Sequence, residues 1–254
     1  PGVWEHLILD KLDFDVRSGE VHTLLGENGA GKTVIANILS GYYEKTEGEI
    51  RVKGKLVHFR SPREGLAHGI AMVHQELMLV PAFTVAENIM VGLDAPLFSY
   101  GIAGVEKRIQ RLVERYGLQV DPKARVEDLS AGQQQRVEIL KVLFHEPEVL
   151  LLDEPTSLLT PSEADQLFVV LRAMADDGKG IVFISHKMRE VFAVSDRVTV
   201  LKLGKTQGTC QIAETNEDEL TRRTFGETVP DYMERPEVAH EELALNTIEM
   251  VPSG

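Results

Sequence analysis

The sequence predicts an α/β fold with a mainly parallel central sheet, an antiparallel β-subdomain and an inserted helical subdomain. Three observations carry that expectation. Short apolar runs of buried-strand length recur at Val21–Leu25, Ile70–Val73, Val149–Leu152, Ile181–Ile184 and Val198–Leu201, with helical stretches between most of them. The first run leads into a Gly-rich loop and then into a segment of helical spacing, Lys32–Leu39, that stops at Gly41. From about Glu76 to His145 no strand pattern is evident.

The remaining elements follow from local signals. Leu9–Val16, Glu49–Val52 and Leu56–Phe59 alternate apolar and polar residues, which predicts a small antiparallel sheet. Lys53-Gly54 between the last two predicts a hairpin turn. In the helical subdomain (about 76–145), Thr84 can cap a helix over Val85–Val91. Val105–Tyr116 is a second helix, ended by Gly117, and Gln133–Phe144 a third, ended before Pro147. Asn216–Thr224 reads as a short helix, Pro230–Glu242 as an acidic loop and Ala244–Val251 as a strand.

Composition narrows the class. The 254 residues are 43% hydrophobic and carry a formal charge of −13. Nucleic-acid binding draws most of its affinity from Lys and Arg on phosphates, so this charge disfavours it. The one cysteine, Cys210, excludes an internal disulfide and a CxxC metal or redox motif. No apolar run approaches the ~20 residues that span a bilayer, and no signal-peptide pattern opens the chain. The start at Pro1 and the strand-like end read as cut sites, which suggests a piece of a longer protein.

Gly26-Glu27-Asn28-Gly29-Ala30-Gly31-Lys32-Thr33 fits G-x-x-x-x-G-K-[ST]. Glycines let the backbone turn so that successive N–H groups face phosphate oxygens, and the helix N-terminus adds its positive end. Lys32 would reach the β- and γ-phosphates, and the Thr33 hydroxyl would ligate Mg²⁺. A chance match has odds of roughly 1% at average residue usage, and the strand-loop-helix context lowers them further.

A second set of groups should emerge at the same sheet edge, the ligand edge of open α/β sheets. The strand Val149–Leu152 ends in Asp153 and Glu154. Asp153 can hold Mg²⁺ and Glu154 can orient or deprotonate an attacking water. His186 follows Ile181–Ile184, where an imidazole could contact the γ-phosphate or that water. Gln75 follows Ile70–Val73, and its amide oxygen could complete Mg²⁺ coordination. A lone histidine is more often structural, and a glutamine at a strand end is usually surface.

Leu129-Ser130-Ala131-Gly132-Gln133 precedes the third helix and resembles the LSGGQ signature of ATP-binding-cassette (ABC) ATPases. The other motifs fall in that family's order: Walker A at Gly26–Thr33, the Q-loop at Gln75, Walker B at Val149–Asp153, the catalytic glutamate at Glu154, the D-loop at Ser157–Thr160 and the switch histidine at His186. The resemblance spans about residues 5 to 225. It implies a P-loop NTPase that binds Mg-ATP between two cassettes. Ser130, Ala131, Gly132 and Gln133 would meet the γ-phosphate held by a partner cassette, and the implied adenine-stacking aromatic is Trp4. Trp4 could equally pack on the small sheet. Ala131 departs from the usual Gly, and Thr160 from the usual Asp.

Ile70–Gly92, Gln133–Leu143 and Ile184–Leu201 resemble bacterial importer ATPases for simple sugars and nucleosides, with Met78–Pro81 leaning to the nucleoside branch. That narrower resemblance implies a transport-coupled ATP hydrolase on the cytoplasmic face of the membrane. Its partners would be transmembrane permeases contacted near Glu76–Phe83, indirectly a solute-binding protein, and a second cassette. Residues 1–228 would be one cassette, 229–243 an acidic linker and 244–254 the first strand of the second cassette. The competing reading is a soluble ABC ATPase acting on nucleic acid or the ribosome.

Overall fold

The structure is a computed structural model that describes residues 9, 12–93 and 101–226. Trp4, the 229–243 segment and the strand expected at Ala244–Val251 lie outside the described residues. In chain order the elements are β1 (Val21–Leu25), α1 (Lys32–Ser40), β2 (Ile50–Val52), β3 (Lys55–Val57), α2 (Pro62–Ala67) and β4 (Ile70–Val73). Then come α3 (Val85–Val91), α4 (Gly101–Tyr116), α5 (Ala131–Leu143), β5 (Val149–Asp153) and α6 (Pro161–Asp176). The last are β6 (Gly180–Ser185), α7 (Met188–Val194), β7 (Arg197–Lys202), β8 (Lys205–Gln211) and α8 (Glu217–Phe225).

Six strands form one sheet in the order β4-β5-β6-β1-β7-β8. The first five run parallel, and β8 joins β7 antiparallel. Helices cover both faces, so strand residues are buried on each side and read as unbroken apolar runs. Alternate residues serve the two layers. Leu150, Leu152, Ile181 and Phe183 face a core shared with Leu167 and Leu171 of α6 and Val137 and Leu140 of α5. Leu151, Val182 and Ile184 face Ile35 and Ala36 of α1 and Val57 and Phe59 near the hairpin.

The hairpin β2–β3 turns through Lys53 and Gly54, with φ of 51° and 75°. Two consecutive positive φ values match the twist of the strands, as the sequence predicts. A third strand of that sheet is expected at Leu9–Val16, but its described residues 12–16 have no strand pairing. Their alternation has another cause. Leu12, Phe14 and Val16 pack against the α1 core layer while their backbone stays unladdered. β8 was not foreseen, because its sequence KTQGTCQ is polar and mostly exposed. Its turn, Leu203-Gly204, repeats the positive-φ pair of the first hairpin.

In the helical subdomain α3 starts at Thr84 with a reciprocal cap to Glu87, as expected. α4 begins four residues earlier than the Val105 expected, and α5 begins at Ala131 rather than Gln133.

One buried polar chain ties the first strand to the sheet edge. His22 on β1 is fully buried, yet both ring nitrogens are partnered. Nδ1–H donates to the Asp15 carbonyl at 2.6 Å, and Nε2 accepts from Thr199 Oγ1 at 2.8 Å. Thr209 Oγ1, 2.6 Å from Thr199 Oγ1, completes the chain across β8. A neutral imidazole with its proton on Nδ1 satisfies that arrangement. Burial, aided by the Arg197 guanidinium, lowers the His22 pKa to about 4. The unfolded chain therefore binds a proton that the folded chain refuses between pH 6.5 and about 4. Stability should be flat in this respect above pH 6.5 and fall as pH drops through that window, by up to about 3 kcal/mol. Urea midpoints at pH 7 and pH 4.5 check this, with His22→Gln losing much of the pH dependence. An identical pH dependence in both proteins would contradict it.

Candidate functional site

Four parallel strands deliver the candidate residues to one edge. β1 ends in the glycine loop, β4 in His74 and Gln75, β5 in Asp153 and Glu154, and β6 in Ser185 and His186. The register sets their depth: Leu152 lies opposite Phe183, and Asp153 opposite Ile184.

The loop is closed by its own backbone. Gly29 and Gly31 take positive φ of 83° and 104°, and Gly31 caps α1. A Cβ on Gly26 would stand 2.4 Å from the Leu201 carbonyl oxygen, so only glycine fits there. The Ala30 carbonyl accepts from Gly204 N at 3.0 Å, which ties the loop to the β7–β8 turn. Glu27, Asn28 and Gly29 are exposed, while Lys32 is 5% exposed.

Lys32 Nζ donates to the carbonyls of Gly26 at 2.8 Å and Glu27 at 2.9 Å and lies 3.9 Å from Glu154 Oε1. Burial lowers its pKa, opposed by the charges of Glu154 and Asp153. Asp153 is 2% exposed, and its Oδ1 has no hydrogen-bond partner. Burial raises its pKa, and the Thr33 hydroxyl bonded to the carboxylate opposes that. An orphaned buried oxygen is costly unless a ligand completes it. A hydroxyl and a carboxylate are hard oxygen donors of the kind Mg²⁺ takes alongside phosphates and waters. The residues present fit that ion.

Glu154 leaves β5 with φ of 45°, a strained backbone for a non-glycine residue, with its N–H bonded to the Ile184 carbonyl at 3.1 Å. Its Oε1 accepts from His186 Nδ1 at 3.0 Å. Lys32, Thr33, Asp153, Glu154 and His186 are thus joined in one cluster. Gln75 is not: its side chain is exposed and has no hydrogen-bond partner among the described residues. The segment after it is pinned to the helical subdomain, with Met78 N donating to Glu138 at 2.5 Å and Val80 N to Asn88 at 2.7 Å.

Ser130 to Gln133 occupy a separate place. Ser130 caps α5 and exchanges bonds with Gln133, at 3.3 Å and 3.0 Å. No hydrogen bond or ion pair among the described residues joins them to the Gly26–Thr33 loop. Their neighbour is Glu163, whose Oε1 is 3.2 Å from Ser130 Oγ and within 2.6 Å of where a Gly132 Cβ would stand. Thr160, the residue departing from the usual Asp, caps α6 with Glu163 as its reciprocal partner. Sequence reading missed two groups here. His74 is half-buried with an unpartnered Nε2 and stacks edge-on against Tyr42 at 4.7 Å. Glu190 is a buried carboxylate below His186, with only its place in a helical apolar stretch as a signal.

The model of the ABC transporter family matches residues 9–157. The chain belongs to the ABC transporter family. This ABC chain is 46% identical over 221 residues to the nucleoside import ATP-binding protein NupA of Lactococcus lactis subsp. cremoris, covering 87% of the chain and 44% of that protein. It is 40% identical to the ribose import ATP-binding protein RbsA of Halalkalibacterium halodurans, covering 90% and 47%. The chain spans about half the length of these relatives. A nucleotide-free ATP-binding cassette from an ABC transporter matches the fold with TM-score 0.74 at 24% identity, covering 87% of this chain and 90% of that one. Another ABC structure, cbiO1 from Clostridium perfringens, matches with TM-score 0.71 at 28% identity, covering 85% and 87%.

The geometry around Lys32 yields a prediction. Lys32→Met keeps most of the side-chain stem but removes the donors. A ligand at about 100 times its Kd stabilises a fold by about 2.7 kcal/mol. At that excess, Mg-ATP should stabilise the native chain by that order, read as unfolding free energy from urea titrations, and leave the variant nearly unmoved. An equal shift in both would contradict the assignment.

Proposed function

We propose that this chain is the ATP-binding and hydrolysing cassette of an importer for a small polar solute, a sugar or nucleoside. The observation that carries the reading is the cluster at the sheet edge, in which one carboxylate, Glu154, lies 3.0 Å from His186 Nδ1 and 3.9 Å from Lys32 Nζ. The import functions named for the nucleoside and ribose relatives support the coupling to transport.

Each residue has a separable task. The N–H groups of Gly29, Gly31 and Lys32, at the start of α1, hold phosphate oxygens, while the Ala30 N–H closes the loop on the Glu27 carbonyl at 3.1 Å. Lys32 exchanges its bonds to the Gly26 and Glu27 carbonyls for bonds to the β- and γ-phosphates. Thr33 and Asp153 would hold Mg²⁺, and Gln75, at the end of β4 on the same sheet edge, would be the further oxygen donor. When bound, the ion would supply charge neutralisation to the phosphates. Glu154 orients the attacking water and accepts its proton. His186 donates from Nδ1 to Glu154 and fixes that carboxylate's rotamer.

The signature at Ser130, Ala131, Gly132 and Gln133 is separated from the loop on its own chain, which supports its use by a second cassette. Glu163 rests on it in the single chain. An open groove lined by Phe83, Glu87, Met90, Val91 and Ile102 supports a permease contact on the helical subdomain. It adjoins the Met78–Val80 segment pinned to α5 and α3, so a membrane partner's movement can reach Gln75. Among the described residues no helix is long and apolar enough to cross a membrane. Peripheral attachment at the cytoplasmic face fits that reading. Residues 1–228 form the cassette, 229–243 a linker, and 244–254 open the second cassette.

Glu154→Gln tests the chemistry. In the full-length protein assembled with its permease, steady-state ATP hydrolysis should fall on the order of 100-fold or more, with Mg-ATP still bound. Retained turnover would remove Glu154 from the catalytic role.

A further inference from the structure

Glu190 lies in the first turn of α7 and is 6% exposed. A carboxylate at that depth needs partners. Thr156 Oγ1 donates to its Oε1 at 2.7 Å, and Ser185 Oγ donates to its Oε2 at 2.7 Å. Lys187 Nζ lies 3.0 Å from Oε1. Ser185 Oγ in turn accepts from Lys187 N at 3.1 Å.

The place of these partners along the chain matters. Thr156 is two residues beyond Glu154, and Ser185 and Lys187 flank His186 on both sides. One buried carboxylate therefore clamps the two segments whose side chains make the 3.0 Å His186–Glu154 bond. The strand ladders stop just short of the pair: β5 ends at Asp153, and β6 ends at Ser185, which is still paired with Leu25. Glu154 has turned out of β5 into a left-handed conformation, and His186 lies between β6 and α7. The backbone bond from Glu154 N to the Ile184 carbonyl joins the segments before the turn, and Glu190 joins them after it.

We propose that Glu190 is a positioning residue for ATP hydrolysis, setting the approach of His186 to Glu154 through its bonds to Thr156 and Ser185. The inference rests on the reading of Glu154 and His186 as the catalytic pair. Without the carboxylate, two hydroxyls and the Lys187 ammonium lose their shared acceptor, and the side-chain link between the segments falls to the longer 3.4 Å contacts of Lys187 Nζ with Thr156, which loosens the His186 turn. Lys32 and Thr33 stand on α1, outside this network. Nucleotide binding should therefore persist while turnover suffers.

The test measures kcat and KM for ATP in the full-length protein with its permease. Displacement of a catalytic group by about 1 Å can cost on the order of 100-fold. Glu190→Ala should lower kcat at least about 10-fold and leave KM within about threefold. Glu190→Gln, which keeps the volume and one carbonyl acceptor, should recover much of that loss. In a His186→Ala background, adding Glu190→Ala should cost less than about a further threefold, because the residue acts through His186. An unchanged kcat in Glu190→Ala, a KM rising in step with any loss, or a full multiplicative loss on top of His186→Ala would overturn the proposal. Should Glu190→Ala fail to fold, Thr156→Val removes one side of the clamp, and wild-type kcat there overturns the proposal equally. Glu154→Gln run alongside separates the two readings. If that variant is inactive and Glu190→Ala is normal, only the positioning role fails. If Glu154→Gln turns over normally, the catalytic reading fails and takes this inference with it.

Discussion

An ammonium group that is 5% exposed must be solvated by the protein, and much of the site follows from how this chain solvates Lys32. Two loop carbonyls and one carboxylate take the place of water. For those carbonyls to converge, the backbone must wrap tightly around the side chain, which places Gly29 and Gly31 at positive φ and brings Gly26 against the Leu201 carbonyl. For Glu154 to come within 3.9 Å, β5 must lie two strands from β1, in the register that sets Asp153 beside Ile184. The charge of Lys32 is thus balanced before any phosphate arrives, and the same arrangement presents it to one.

The negative side of the site carries a complementary cost. Asp153 is buried with one oxygen unpartnered, and Glu154 holds a strained backbone angle. Both features are expensive in an isolated fold and understandable where a cation and a reacting group are to be held. The hydroxyl and ammonium groups around Glu190 brace this strained corner from beneath. His22, by contrast, is a buried polar group with both nitrogens satisfied, and it serves the sheet rather than the site.

Much of this was legible in the sequence because the signals are local. The five parallel strands and α1 follow from apolar run length and a glycine loop. Thr84 and Ser130 were readable as caps, while Asn216, read as the first residue of a helix, proved to be its cap. What escaped was decided by partners distant along the chain. Leu12, Phe14 and Val16 alternate like a strand, but alternation records which side meets the core, not whether the backbone is laddered. β8 is polar because it is an edge strand, so its membership of the sheet left no apolar trace. Ser130 to Gln133 were readable as a helix cap, while their contact with Glu163, more than thirty residues away, was not. Glu190 left no local signal, because the partner that gives it a role, Thr156, stands thirty-four residues earlier in the chain.

In the proposed function, the loop, Asp153, Glu154 and His186 form one face of a site whose other face is a signature from a second cassette. The most direct measurement is the ATP turnover rate per chain of this 254-residue polypeptide as a function of its concentration. The account predicts ATP binding at every concentration, slow turnover when dilute, and a rate per chain that climbs as chains pair. Fast turnover independent of concentration would mean that a single chain completes the site, and would contradict it.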